Sequence, residues 1–185
     1  PDETFATLAE SVGLDVRLRK AVQRLGHVRP TLVQCKCLPL AINSGRDLLV
    51  RAKTGSGKTL AYCLPLLQKI IQAKSMEDGS GQQQPPTPGV RAVVLVPTRE
   101  LCSQVYHTLK SLVYYCDEIV TVAVLSATAA TRGEKSQTEL ARQRAMLRDH
   151  PDILVATPAG LLGHVRAGDV NLKTSLETLV VDEAD

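Results

Sequence analysis

The stretch Ala52-Lys53-Thr54-Gly55-Ser56-Gly57-Lys58-Thr59 decides the fold of this 185-residue chain. An apolar run at residues 47–51 precedes it, and a helical pattern begins near Gly57. This order is the strand–loop–helix context that a phosphate-binding loop requires. The glycines let backbone N–H groups turn inward around a phosphate, and the dipole of the following helix favours its negative charge. We therefore predict a phosphate-binding loop at these residues.

The polar residues of this loop have distinct predicted roles. Lys58 is expected to bridge the β- and γ-phosphates of a nucleotide, and the Thr59 hydroxyl to ligate Mg²⁺. The loop that cradles the phosphates is formed by Thr54, Gly55, Ser56 and Gly57. A glycine-rich turn without a ligand is the alternative, and Gly-Lys-Thr in this context disfavours it. The loop thus predicts a nucleoside triphosphate and a metal ion bound together.

Outward from the loop, short β-branched runs alternate with helical patterns. Strands are predicted at residues 47–51, 92–96, 120–125, 153–156 and 178–181, and helices at residues 57–73, 99–116, 139–148 and 160–165. Two further helices, at residues 14–25 and 30–42, are predicted to precede any strand. This alternation predicts an α/β fold in which a parallel sheet is covered by helices on both faces.

A second acidic element follows the last predicted strand. Leu179-Val180-Val181 leads into Asp182-Glu183-Ala184-Asp185, and open α/β sheets bind ligands at the carboxyl ends of their strands. Asp182 is expected to hold the hydrated Mg²⁺, and Glu183 to orient or deprotonate the water that attacks the γ-phosphate. An acidic helix cap is the alternative, which the upstream phosphate-binding loop makes weaker.

Composition excludes other classes of protein. The chain is 44% hydrophobic and 22% charged with a formal charge of +3, and no apolar run approaches the roughly 20 residues that span a bilayer. Five cysteines, an odd count without a Cys-x-x-Cys pair, favour reduced and packed thiols over disulfides or a zinc site. Residues 75–89, rich in Gly, Ser, Gln and Pro, are expected to form a flexible surface loop.

With these motifs in place, the chain resembles the DEAD-box RNA helicases. Asp182-Glu183-Ala184-Asp185 spells the name of that family, and residues 52–59 match its phosphate-binding loop. Pro30-Thr31-Leu32-Val33-Gln34 is similar to its Q motif, Pro97-Thr98-Arg99-Glu100-Leu101 to motif Ia, and Thr157-Pro158 to the start of motif Ib. The resemblance covers nearly the whole chain.

The resemblance implies a RecA-like ATP-binding lobe that uses ATP and Mg²⁺. By it, Gln34 reads the adenine edge, residues 1–46 are the Q-motif helices, and RNA backbone is contacted by Pro97, Thr98, Arg99 and Thr157. In the family a second RecA-like lobe completes the catalytic site and the RNA cleft. Residues 1–185 are therefore expected to be a truncated first lobe, with the second lobe absent and almost no hydrolysis by the fragment alone.

The sequence also departs from the family pattern. The usual aromatic residue before the Q motif is displaced, because Ala9 lies seventeen positions before Gly26 and Phe5 four positions further out. The family's Gly-Gly element is missing, and Thr-Pro-Gly-Arg has become Thr157-Pro158-Ala159-Gly160. Adenine stacking by Phe5 and one RNA-facing arginine are therefore not expected.

For the intact protein, the resemblance implies an RNA-dependent ATPase that clamps RNA and locally unwinds duplexes. Several phrases, among them residues 13–18 and 175–182, look most like the nucleolar branch that assists assembly of the large ribosomal subunit. That branch implies a nuclear and nucleolar location and pre-ribosomal particles as partners. The protein is expected to be monomeric and not to bind a membrane. The alternatives are a catalytically inactive RNA-binding scaffold, a DNA-directed translocase and a GTPase. A GTPase would need a guanine-reading Asn-Lys-x-Asp, which this sequence does not supply.

Overall fold

The computed structural model describes residues 3–79, 89–126 and 134–184, without the side chains of residues 77–79 and 134–136. The chain forms two compact units. The helical unit comprises Pro1–Ser80 with Thr108–Ile119, and the sheet unit comprises Gly81–His107 with Val120–Asp185. Each unit is described by itself.

The helical unit contains α1 (Phe5–Ser11), α2 (Val16–Arg24), α3 (Leu32–Asn43), α4 (Lys58–Gly79) and a short 3-10 helix (Val113–Tyr115). The expectation of two helices before the sheet was wrong, because α1 is a third. Its N-cap is Thr4, whose hydroxyl accepts a hydrogen bond from Thr7 N. The apolar positions Phe5, Leu8 and Ala9 lie on one face and are buried.

Helix α2 begins at an acidic cap. The Asp15 carboxylate accepts hydrogen bonds from Arg17 N at 2.9 Å and, in a two-point ion pair, from Arg17 Nε and Nη2 at 2.9 Å each. The side-chain hydrogen bond from Arg17 holds the pKa of Asp15 below its usual range, against the opposing effect of burial. The carboxylate therefore stabilises the fold in its ionised form.

We expect Asp15→Asn to lower the free energy of unfolding by about 1 kcal/mol at pH 7, because asparagine keeps the helix cap but loses the charged pair. A carboxyl group whose pKa falls on folding stabilises above its ordinary pKa and loses that contribution in acid. The difference from the unsubstituted protein should thus disappear as the pH falls below about 4. Urea unfolding followed by circular dichroism at pH 7 and pH 3 measures it, and an unchanged difference at pH 3 would contradict the ion-pair explanation.

Helix α4 is longer than predicted. It continues through Gly79, so Ser75 and the four residues after it are helical where the sequence indicates a loop. The Ser75 hydroxyl donates to Ile71 O, one turn earlier, at 2.8 Å, so its polar group is satisfied within the helix. The remainder of the predicted flexible loop, residues 80–88, lies outside the described residues.

The predicted strand at residues 47–51 was wrong. These residues are irregular in the structure, and the side chains of Leu48, Leu49 and Val50 are exposed. A β-strand exists only through hydrogen bonds to a neighbouring strand. Within the described part of the chain, no strand pairs with residues 47–51.

The other four predicted strands are confirmed and form one parallel sheet. They are β1 (Ala92–Leu95), β2 (Val122–Leu125), β3 (Ile153–Ala156) and β4 (Thr178–Val181), in the order β2-β3-β1-β4. Helices α5 (Arg99–Leu112), α6 (Glu134–Arg148) and α7 (Pro158–Ala167) also match predicted ones. The chain passes from the sheet unit to the helical unit within α5. The α/β fold is thus confirmed.

The sheet packs around a continuous apolar core. Strand β3 is buried at all of its positions, as expected of a central parallel strand. Its neighbours in the core are Val90, Val93, Ala123, Leu125 and Leu147. This core includes residues of β1, β2 and β3 and so fixes the ends of these three strands, and with them the residues that follow.

No helix in the described ranges has both the length and the apolar character of a membrane span.

None of the five cysteines forms a disulfide, and four of them, Cys37, Cys63, Cys102 and Cys116, are buried. Burial, with a smaller contribution from Glu100, raises the pKa of the Cys102 thiol to about 11. Burial also raises the pKa of the Cys37 and Cys116 thiols. Packing therefore accounts for these three thiols, since a raised pKa makes a cysteine a poor nucleophile.

Candidate functional site

The loop between residue 51 and α4 is a tight, glycine-dependent turn. Ser56 N donates to Lys53 O at 3.2 Å, and Gly55 and Gly57 have φ of +78° and +88°. Residues with a side chain rarely adopt such dihedrals. Within the described part of the chain, the buried Ser56 hydroxyl has no hydrogen-bond partner. The contacts within the loop therefore explain neither the positive φ of its two glycines nor the burial of the Ser56 hydroxyl.

The loop is braced by the start of α3. Thr31 and Gln34 form a capping box, in which Thr31 N donates to Gln34 Oε1 at 2.9 Å and Thr31 Oγ1 accepts from Gln34 N. The other end of the Gln34 amide, Nε2, donates to Gly57 O at 3.1 Å. Gln34 is only 4% exposed. A Cβ at Gly57 would lie 2.6 Å from Gln34 Nε2 and 2.9 Å from Thr31 Oγ1, so only glycine fits there.

The two cation-directed residues of the loop lie in the first turn of α4. Lys58 is its first residue, and the ammonium group donates to Ala52 O at 3.0 Å, across the loop. Thr59 follows it and is half-buried. Helix α4 is 22 residues long, and the free N–H groups and dipole at its N-terminus favour an anion.

These residues fit the phosphates of a nucleotide. The loop offers backbone N–H groups at glycines with left-handed dihedrals, a helix N-terminus, a buried hydroxyl without a partner and a lysine folded over the loop. Glycine-dependent turns and helix N-termini are places where proteins bind phosphate. Thr54, Gly55, Ser56, Gly57, Lys58 and Thr59 lie together in this turn and the start of α4, and their binding of a nucleotide stays a prediction.

In the sheet unit, the predicted acidic residues follow β4. The Asp182 amide donates to Leu95 O at 2.9 Å and so continues the pairing of β4 with β1. Glu183 has φ of +53°, and its N–H donates to Asp182 Oδ1 at 3.0 Å. A non-glycine residue in this region marks a sharp turn. The two consecutive acidic residues therefore lie in a turn at the carboxyl end of the strand.

The residues predicted to contact RNA lie at the same edge of the sheet. Pro97, Thr98 and Arg99 follow β1 and are exposed, and Thr98 Oγ1 accepts from Leu101 N at 3.2 Å at the start of α5. Thr157 follows β3 and is 6% exposed, with its hydroxyl accepting from Gly160 N at 3.2 Å as the cap of α7. Pro97, Thr98 and Arg99 are accessible from solvent, and their contact with RNA stays a prediction, whereas Thr157 mainly fixes the start of α7.

A buried polar group behind this edge was missed by sequence reasoning. His164 in α7 contacts Asp169 and Gln143, and hydrogen bonds from His164 and then Arg144 hold the pKa of Asp169 below its usual range. Gln143 and His164 are both buried, although the sequence of α6 indicates a solvated helix. His164 lies seven residues after Thr157, which places both residues on one helix face. This spacing is the one sequence signal that we find for the buried contact of His164.

The chain is similar to known proteins. The sequence model described as DEAD/DEAH box helicase matches residues 31–185, which include the phosphate-binding loop and the acidic turn. The chain belongs to the DEAD/DEAH box helicase family. Upstream of the matched region lie α1 and α2, which belong to the part of the chain that the model does not match.

Curated relatives of this DEAD/DEAH box helicase chain carry specific names. It is 42% identical over 176 residues to the probable ATP-dependent RNA helicase ddx56 of Dictyostelium discoideum, covering 95% of this chain and 23% of that protein. It is 40% identical over 184 residues to the ATP-dependent RNA helicase dbp9 of Emericella nidulans, covering 100% of this chain and 27% of that protein. The chain thus spans about a quarter of the length of the curated relatives it matches.

A solved structure supports the same fold. The crystal structure of a hypothetical ATP-dependent RNA helicase from Sulfolobus tokodaii matches with a TM-score of 0.70 at 32% identity, covering 93% of this chain and 42% of that one. The fold of this DEAD/DEAH box helicase chain is accordingly RecA-like, as the sequence resemblance implies.

Proposed function

We propose that this chain is the ATP-binding lobe of an ATP-dependent RNA helicase, which couples ATP hydrolysis to RNA clamping and local unwinding. The observation that supports this most is the braced phosphate-binding loop, with the unpartnered Ser56 hydroxyl and the Lys58 ammonium folded over it. Family membership and the names of the relatives support the choice of ATP and RNA. Each residue role below is part of this proposal.

The nucleotide would be held at both ends by residues of the helical unit. Phosphates would accept hydrogen bonds from the backbone of residues 54–59 and from Lys58, and the Thr59 hydroxyl would ligate Mg²⁺. An amide has two acceptor lone pairs and two donor hydrogens, of which Gln34 spends one each on Thr31 and Gly57. The remaining donor and acceptor suit the adenine edge, and they would connect base recognition to the loop.

Asp182 and Glu183 would have separate roles, one in binding the metal ion and the other in activating the attacking water. Asp182, fixed at the end of β4 by its amide hydrogen bond to Leu95 O, would hold hydrated Mg²⁺. Glu183, in the turn that follows, would orient or deprotonate the attacking water. A bound Mg²⁺ neutralises charge that develops on the phosphates. We propose that the second RecA-like lobe supplies the remaining catalytic groups, so that this chain alone hydrolyses little ATP.

RNA would be bound at the carboxyl edge of the sheet unit. Pro97, Thr98 and Arg99 after β1 and Thr157 after β3 would contact the sugar-phosphate backbone. Contacts of this kind position a nucleic acid without reading its sequence. The full-length protein would accordingly act on RNA of varied sequence, as a monomer. The similarity to ddx56 and dbp9 supports a role in nuclear or nucleolar ribosome assembly with pre-ribosomal particles as partners.

The proposed function is tested by steady-state ATPase assays on the full-length protein with RNA, with DNA and with neither. We expect stimulation by RNA alone, and none in the Lys58→Ala variant, which serves as the blank. Equal stimulation by DNA would indicate a general translocase. ATP binding without turnover under any condition would indicate an inactive RNA-binding scaffold, and tighter binding of GTP than ATP would contradict the role of Gln34.

A further inference from the structure

A polar bridge joins two helices behind the carboxyl edge of the sheet. It consists of Gln143 in α6, His164 in α7 and Asp169 after α7. His164 Nδ1 lies 2.8 Å from Asp169 Oδ2, and His164 Nε2 lies 2.9 Å from Gln143 Oε1. Gln143 and His164 are each 3% exposed. Burying a polar side chain costs free energy of folding unless its hydrogen bonds are satisfied.

Counting donors and acceptors fixes the orientation of the bridge. Gln143 Nε2 lies 3.1 Å from both Ser126 O and Glu139 Oε1, which can only accept, so the nitrogen of the amide must face them. Gln143 Oε1 then faces His164 and accepts. On the other side of the ring, His164 Nδ1 faces the Asp169 carboxylate, which Arg144 Nε also contacts at 3.1 Å.

The bridge ends at the residues that position the proposed RNA site. Ser126 follows β2, and the carbonyl of the residue before it, Leu125 O, accepts a hydrogen bond from Thr157 N at 3.1 Å. Thr157 caps α7, and His164 lies two turns later on the same face of that helix. The bridge therefore closes a ring of contacts from the end of β2 to α6, to α7 and back to Thr157 at the end of β3.

We propose that Gln143 and His164 are positioning residues for RNA, which hold the ends of β2 and β3 in a fixed relation at the carboxyl edge. They touch no ligand themselves and act through Ser126 and Thr157. Because the proposed RNA contacts lie at this edge, a displacement of Ser126 against Thr157 weakens RNA binding. The inference rests on the RNA-dependent ATPase activity proposed above.

Gln143→Glu in the full-length protein separates this role from simple packing. Glutamate keeps the oxygen that accepts from His164, but it replaces the NH₂ group that donates to Ser126 and Glu139 with a second acceptor. We expect the RNA concentration for half-maximal ATPase stimulation to rise about tenfold. The kcat at saturating RNA and the KM for ATP should stay within twofold, because the phosphate-binding loop is untouched.

Arg148→Gln is the matched control, since Arg148 lies in α6 like Gln143 but is exposed and is not part of the bridge. This variant should keep the RNA half-saturation within twofold. If circular dichroism shows that Gln143→Glu is unfolded, Gln143→Met, which is of similar size and donates nothing, carries the same expectation. An unchanged RNA half-saturation in a folded variant, or a fall in kcat alone, would overturn the inference. An unsubstituted protein without RNA stimulation would instead overturn the proposed function and, with it, this inference.

Discussion

Replacing Lys58 with alanine is expected to lower the RNA-stimulated kcat of the full-length protein by about 100- to 1,000-fold, the usual effect of removing one preorganised donor to developing charge. The Lys58 ammonium lies across the loop, 3.0 Å from Ala52 O, where it can move onto a phosphate without reordering the backbone. Alanine is the strongest helix former, so the first turn of α4 should persist. Steady-state ATPase assays at saturating RNA measure the change.

Lys53→Ala is the control for this prediction. Lys53 belongs to the same loop and carries the same charge, but its side chain is exposed. Its backbone carbonyl accepts a hydrogen bond from Ser56 N. Alanine keeps that carbonyl, so kcat should stay within about twofold. Equal losses in the two variants would mean that the loop needs positive charge in general, and the specific role assigned to Lys58 would then be wrong.

Local chemistry was enough to predict the position of the glycine-dependent turn and the four strands of the sheet. Strands β1 to β4 are short β-branched runs whose pairing partners lie within the described chain, so local pattern and tertiary pairing agree. Residues 47–51 carry the same kind of pattern without a paired neighbour there, and propensity alone does not form a ladder. The difference between these two cases lies in long-range pairing, which a local pattern does not encode.

Other features depend on contacts between residues far apart in sequence. The buried state of Gln143 and His164 follows from the meeting of α6 and α7 with the end of β2, 21 residues separating the two side chains. Read locally, α6 is a charged helix and its glutamine is unremarkable. Helix α1, in contrast, carried local signals in the Thr4 cap and the spacing of Phe5, Leu8 and Ala9, and it could have been predicted.

Gly57→Ala is expected to weaken ATP binding by about 100-fold, or about 2.7 kcal/mol. Two costs combine in this variant. The φ of +88° disfavours any side chain by about 1–2 kcal/mol, and the new methyl group would lie 2.6 Å from Gln34 Nε2 and 2.9 Å from Thr31 Oγ1. Relief requires the Gln34 and Thr31 side chains to turn away or the loop to move. Turning Gln34 away breaks its hydrogen bond to Gly57 O, and moving the loop displaces the N–H groups proposed to bind the phosphates. Isothermal titration with a non-hydrolysable ATP analogue measures the affinity.

Gly45→Ala separates the two costs, since Gly45 also has a positive φ, +58°, but a Cβ there would meet nothing within 4 Å. It should lose about 1 kcal/mol of stability from the backbone alone while binding ATP within twofold of the unsubstituted protein. Comparable loss of ATP binding in both variants would trace the effect to backbone strain. Loss confined to Gly57→Ala would trace it to the contact with Thr31 and Gln34, and would make the start of α3 part of the phosphate site.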